Sequence, residues 1–130
     1  MTEEQKNIVA ELGEIEEYLL IETSDDPAEV RERIAKMNVY LARANKMWAD
    51  AKYTLAKERE YLYDEAIAAG TIGELRPSLV KDIINAKTAD SEYVCTLAER
   101  ISRTIVHQCD GLRSLLSWNK EDMKLTRTGY

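Results

Sequence analysis

GTIGELRP, residues 70–77, is the strongest turn signal between Pro27 and the carboxyl-terminal end of the chain. Two glycines and a proline within eight residues interrupt regular helix, because glycine favours left-handed backbone and proline lacks an N–H donor. Residues 28–69 contain neither glycine nor proline, and residues 78–128 contain only Gly111. The sequence therefore predicts two long helices that fold back on one another at this turn.

The segment before the turn has the features of one long helix over residues 27–69. Asp26 and Pro27, followed by Glu29, form a helix start signal of cap acceptor, N1 proline and acidic first turn. Apolar residues then recur at alternating spacings of four and three, which predicts a coiled-coil-like seam. They are Val30, Ile34, Met37, Leu41, Ala44, Trp48, Ala51 and Leu55.

The segment after the turn predicts a single helix over residues 77–125, with Pro77 in its first turn. Between Asn85 and Glu92 the residues are mostly small or polar, but none of them is a glycine or a proline that would end the helix. The stripe consists of Val80, Ile84, Val94, Leu97, Ile101, Ile105, Cys109, Leu112 and Leu116. Gly111 costs a mid-helix position about 1 kcal/mol relative to alanine, so we expect another backbone to approach it closely.

A shorter helix is predicted over residues 3–22. Thr2 and Gln5 have the spacing of a capping box, and Ile8, Leu12, Ile15 and Leu19 form one apolar stripe. Such a helix covers only the base of the hairpin. We therefore predict a single all-α domain over residues 1–130, a three-helix bundle from which a two-helix arm projects at about residues 50–96.

The net charge of −6 is unevenly distributed: residues 1–32 have eleven acids and two bases, whereas the remaining chain is slightly basic. The acidic amino-terminal sequence does not resemble a signal peptide, and no apolar run has membrane-spanning length. Cys95 and Cys109 lie about 21 Å apart along one predicted helix, too far for a disulfide bond. These features indicate a cytoplasmic protein with reduced thiols and without membrane association.

The only histidine lies two residues from Cys109, in the segment HQCDG, residues 107–111. Side chains two residues apart point to different sides of a helix, so His107 and Cys109 do not form a catalytic dyad. We expect Cys109 in the core, with His107 and Asp110 on the outer face. The sequence also has no metal-ligand motif and no phosphate-binding loop. We therefore expect no enzymatic activity, cofactor or metal.

Nucleic-acid binding is an alternative, because basic residues on the second helix alternate with aromatic ones, as in surfaces that stack single-stranded bases. The basic residues are Arg33, Lys36, Arg43, Lys46, Lys52, Lys57 and Arg59. We favour an interpretation in which these cations neutralise the acidic first helix. A third possibility is an inhibitor whose acidic first helix imitates nucleic acid and occupies the basic groove of a host defence protein.

The arm carries more apolar residues than a two-helix hairpin can bury, which favours a surface for a second copy or another protein. The candidate residues are Leu55, Tyr61, Leu62, Ile67, Ile72, Leu75, Leu79, Ile83 and Tyr93. The leading hypothesis is a non-enzymatic interaction or assembly protein, either a homo-oligomer or bound to another protein through this arm.

Three further segments are informative together: ADAKYTLAKEREYLYDEAI, AKTADSEYVCTLAER and RTIVHQCDGLRSLLSWNKEDMKL. Through them, residues 45–125 resemble small helical-hairpin proteins that bacteriophages and prophages encode, and the partner is then another phage or host protein. It implies an origin in a mobile element and an accessory role in a phage: support of phage DNA metabolism, assembly with another phage protein, or inhibition of a host defence. It implies no activity and no catalytic residues.

Overall fold

A computed structural model describes residues 1–127, which form five α-helices and no strand. The helices are α1 (Glu3–Leu19), α2 (Pro27–Ala68), α3 (Thr71–Glu74), α4 (Pro77–Lys87) and α5 (Ala89–Arg127). The prediction of an all-α protein is confirmed. Since α2 and α5 are by far the longest elements, their pairing sets the shape of the molecule.

Helices α2 and α5 pack against each other as an antiparallel pair. Near one end, Arg59 Nη2 lies 3.0 Å from the carboxylate of Glu92, and toward the other, Arg33 Nη2 lies 3.5 Å from Oε1 of Gln108. The chain reverses at the segment identified from sequence, where Gly70 has a φ of 74°. This left-handed backbone favours glycine, and the single turn of α3 follows it.

Helix α1 lies in the groove beside α2 and α5, and runs parallel to α5. It begins with the predicted capping box, in which Thr2 and Gln5 satisfy each other's backbone N–H groups. The Gln5 amide donates to the Ser91 hydroxyl over 2.9 Å, while the far end of α1 is held by Gln108, which donates to the Leu19 carbonyl over 3.2 Å. Because α1 reaches Ser91, it covers more of the hairpin than the sequence predicts, and the uncovered arm is shorter.

The core lies where the three helices meet. It consists of Leu12, Ile15, Leu19, Met37, Ala44, Met47, Ala98, Ile101, Ile105 and Cys109. The residues of the predicted α2 seam differ in burial: Val30, Met37, Ala44, Ala51 and Leu55 are buried, whereas Ile34, Leu41 and Trp48 are half-buried. In a bundle of three helices the buried stripe is wider than a two-stranded seam, so α2 also buries Met47.

The prediction of one helix over residues 77–125 is wrong at Thr88, where α4 ends and α5 begins one residue later. The buried Thr88 hydroxyl donates to the carbonyl of Ile84 over 2.9 Å. This bond back to the preceding turn competes with regular helix geometry and bends helices. The small, polar stretch that begins at Asn85 marks this position in the sequence.

Two further local predictions are corrected. A Cβ built on Gly111 meets no atom within 4 Å, so no other backbone approaches this residue. The carboxylate of Asp26 makes no capping hydrogen bond, although Asp26 stands at the N-cap of α2. The start of α2 is instead fixed by Pro27, whose restricted φ suits the first helical position.

Candidate interaction surface at the tip of the helical arm

The candidate functional surface lies on the part of the hairpin that α1 does not cover. We call residues 60–87 the arm. Its root is marked by the ion pair of Arg59 and Glu92, and by the amino group of Met1, which lies 3.2 Å from the carboxylate of Asp90. Beyond these contacts α2 packs against α3 and α4 without α1, and several apolar side chains there stay accessible.

A groove of about 520 Å³ runs along the arm between α2 and α4. Ala66 on α2 and Ala69 directly after it are small lining residues, and Val80 and Ile84 on α4 are buried lining residues. Two charged residues also line the groove, Glu65 from α2 and Lys87 from α4; its further lining residues are Leu62, Ala68, Thr71 and Ile83. The groove is thus a mainly apolar depression that contains one acid and one base.

Apolar side chains also project from the arm. Of the nine residues that sequence predicts for a partner surface, six are exposed: Tyr61, Ile67, Ile72, Leu79 and Ile83 on the arm, and Tyr93 outside it on α5. Tyr61 and Ile67 are each 63% exposed, and Leu62 and Leu75 are half-buried. Leu55 is wrongly assigned to this surface: it is only 7% exposed, and it lies on the part of α2 that precedes the arm.

The two sides of the arm carry opposite charge. Residues 60–68 of α2 contain three acids and no base, whereas residues 76–87 contain three bases and one acid. Within residues 1–127, Asp64, Lys81 and Lys87 form no ion pair, and Glu65 accepts only a 3.5 Å hydrogen bond from the Tyr61 hydroxyl. The sequence analysis identified the apolar residues of the arm but missed this division of charge and the groove-forming alanines of AIAAG, residues 66–70.

The cations proposed for nucleic-acid contact do not form one free basic surface. Arg33 is wrongly assigned to it, since it is only 8% exposed and its guanidinium lies 4.7 Å from the ring centroid of Tyr18. Arg43 donates to both carboxylate oxygens of Glu11, at 2.6 and 2.8 Å, so one cation of α2 does neutralise the acidic helix as expected. The other acids of α1 are mostly exposed.

The remaining cations of this set are engaged in other ways. The ammonium of Lys36 lies 4.5 Å from the ring centroid of Tyr18. Three others form ion pairs at 2.7, 3.3 and 3.0 Å: Lys46 with Asp50, Lys57 with Glu60, and Arg59 with Glu92. Lys52 is exposed and has no ion pair in the described part of the chain. A polyanion therefore has to displace carboxylates along most of this face.

Comparison with known proteins gives no match to a family model, to a curated protein or to a solved structure. Functional residues are therefore assigned from the geometry of this chain alone. The resemblance to phage-encoded hairpin proteins stays an expectation from sequence.

The segment around His107 has none of the geometry of a catalytic centre. His107 is exposed, whereas Cys109 is buried in the core, and burial raises the pKa of the Cys109 thiol above its usual range. Across residues 1–127, no group of three or more histidine, cysteine or acidic side chains is arranged to hold a metal ion. No helix in that range has both the length and the apolar character needed to cross a bilayer.

Proposed function

We propose that this chain is a non-enzymatic helical interaction protein that docks its partner on the arm. The observation that carries the proposal is the coincidence, on residues 60–87, of an apolar groove with projecting isoleucine and leucine side chains. Helical proteins commonly bind an amphipathic helix in such a groove, through apolar side chains spaced three or four residues apart. The partner's contact surface is accordingly an apolar helix face.

The rest of the molecule is suited to hold the arm in place. Hydrogen bonds of Gln5 and Gln108 hold the two ends of α1 against α5. A bidentate salt bridge between Arg43 and Glu11 holds α1 against α2. Packing of three helices makes the base the more rigid part of the protein, because close-packed interiors have low compressibility. The arm is thus presented at one end of a stable stem.

The setting of this function follows from the resemblance described above. We place the protein among the accessory proteins of a phage or prophage, acting in the cytoplasm of the host cell. Nucleic-acid binding by α2 is not retained as a second function, because the observed pairs of Arg43, Lys46, Lys57 and Arg59 occupy most of the cations it requires.

Site-specific crosslinking tests the proposal. A photoreactive benzoylphenylalanine replaces Ile67 or Leu79 on the arm, and Val39 serves as control because it is an exposed apolar residue of α2 within the three-helix base. After illumination of cells that naturally produce the protein, the arm positions are expected to give protein adducts and the Val39 position none. Absence of adducts from both arm positions would overturn the proposed function.

A further inference from the structure

We infer that the partner bound by the arm is a second copy of this chain, and that the two arms pack against each other about a twofold axis. The inference rests on the proposed function, since it names the partner of the same surface. Two properties of the arm support this inference: the shape of its apolar surface and the arrangement of its charges. A partner has to be complementary to both.

The shape of the arm is complementary to itself. It has a depression, lined by Ala66, Ala69 and Val80, and it also has exposed side chains outside that lining, among them Ile67 and Leu79. In a twofold interface each copy offers the same patch, so that residue i of one copy meets residue j of the other and the reverse. A surface that contains both a hole and the apolar side chains to fill one satisfies this condition.

The charges of the arm are also complementary to themselves. The α2 side is acidic and the α4 side is basic, with Glu65 and Lys87 at the groove. A twofold rotation that brings the α2 side of one arm onto the α4 side of its neighbour places acids opposite bases twice. An arm with a single sign of charge would repel its own copy, since like charges across an interface are unfavourable.

The lysines on the α4 side of the arm are free to pair with acids of a second copy. Within residues 1–127, neither Lys81 nor Lys87 forms an ion pair, while four of the eight cations of α2 do. Charges at the rim of an interface set its orientation and partner choice more than its affinity. The apolar groove then supplies most of the binding free energy. The charged sides determine how the two arms are aligned relative to each other.

A charge exchange in the full chain tests this inference. Sedimentation velocity is measured over a series of concentrations for the unmodified chain, for Glu65→Lys, for Lys87→Glu and for the double variant. Each single exchange places like charges opposite each other at two symmetric positions, and we expect the dimer dissociation constant to rise about tenfold. The double variant restores opposite charges at both positions and is expected within about threefold of the unmodified chain.

Glu14→Lys is the matched control, because Glu14 is exposed on α1 and far from the arm in the fold. It changes the net charge as Glu65→Lys does, and we expect an unchanged dissociation constant. Thermal unfolding of each variant, followed by circular dichroism at a concentration where the chain is monomeric, separates a loss of association from a loss of folding.

Two results would overturn the inference: a chain that stays monomeric to high micromolar concentration, or a dimer whose dissociation constant responds equally to Glu65→Lys and to Glu14→Lys. Neither result removes the proposed function, which fails only when the crosslinker on the arm captures no protein. A third outcome is a chain that is monomeric and crosslinks only to a different protein, never to a second copy of itself. That outcome retains the docking function and rejects the second copy as the partner.

Discussion

Arg33 of α2 donates from Nη2 to the backbone carbonyl of Leu19, the last residue of α1, over 3.4 Å. Gln108 of α5 donates to the same oxygen over 3.2 Å. The last carbonyls of a helix have no partner within it, so this contact satisfies an otherwise unpaired group and joins three helices at one atom. The guanidinium also faces the ring of Tyr18 at 4.7 Å. A residue that looked like a nucleic-acid contact in the sequence is thus a structural residue of the base.

We expect Arg33→Ala to lower the free energy of unfolding by about 2 to 3 kcal/mol, because it removes a charged hydrogen bond and a long buried stem. Urea denaturation followed by circular dichroism measures the change. Arg31→Ala is the matched control, since Arg31 lies exposed two residues earlier, and it should change stability by less than about 0.5 kcal/mol. Equal effects of the two variants would contradict the role assigned to Arg33.

Gly111→Ala should raise the free energy of unfolding by about 0.5 to 1 kcal/mol. The added methyl group meets no atom within 4 Å, and alanine is the better helix former because its unfolded chain loses less conformational entropy. Denaturation in urea again provides the measurement. A loss of stability would mean that another surface does approach this position.

The two thiols should differ in reactivity. Burial raises the pKa of Cys95 and of Cys109, and Glu92 and Glu99 raise that of Cys95 further. Cys109 is in the core and Cys95 is half-buried, next to Trp48. Since the thiolate is the reactive form, both should react slowly with a disulfide reagent near neutral pH, with Cys95 first and Cys109 only as the bundle opens. Labelling followed by peptide mass spectrometry gives the order, and faster labelling of Cys109 would contradict the placement of α1.

Single-stranded DNA should not bind with the salt dependence of a phosphate-contacting protein. Four of the seven cations proposed for this contact are paired with carboxylates, Arg33 is buried, and the exposed acids of α1 add negative charge to the same part of the molecule. Fluorescence anisotropy of a labelled oligonucleotide at low and moderate salt makes the test. An affinity that falls steeply with added salt would restore the nucleic-acid hypothesis.

The elements with strong local signals could be predicted from sequence. The Thr2–Gln5 capping box, Pro27 at the start of α2 and the turn at Gly70 each depend on neighbouring residues, so their structure follows from a short segment. The seam of α2 is likewise periodic over eight positions. The remaining features depend on contacts between residues far apart in the sequence, which local patterns do not predict.

The break at Thr88 and the extent of α1 escaped the sequence analysis for different reasons. A threonine within a helix is compatible with regular structure unless its hydroxyl bonds back to the preceding turn, a choice that packing makes. The alignment of α1 against α5 depends on a hydrogen bond between Gln5 and Ser91, which are 86 residues apart. For the same reason the groove on the arm became visible only when α2 and α4 were placed together.

The most direct test of the central claim, that this protein associates through the tip of its arm, is sedimentation equilibrium of the unmodified chain beside Ile83→Glu and Val39→Glu. Both substituted residues are exposed, but only Ile83 lines the groove. For the unmodified chain and for Val39→Glu we predict an average mass that rises from monomer toward dimer across tens of micromolar, as for about −6 to −7 kcal/mol of association. For Ile83→Glu we predict a monomer mass over the same range. The same mass for all three chains at every concentration would contradict the claim.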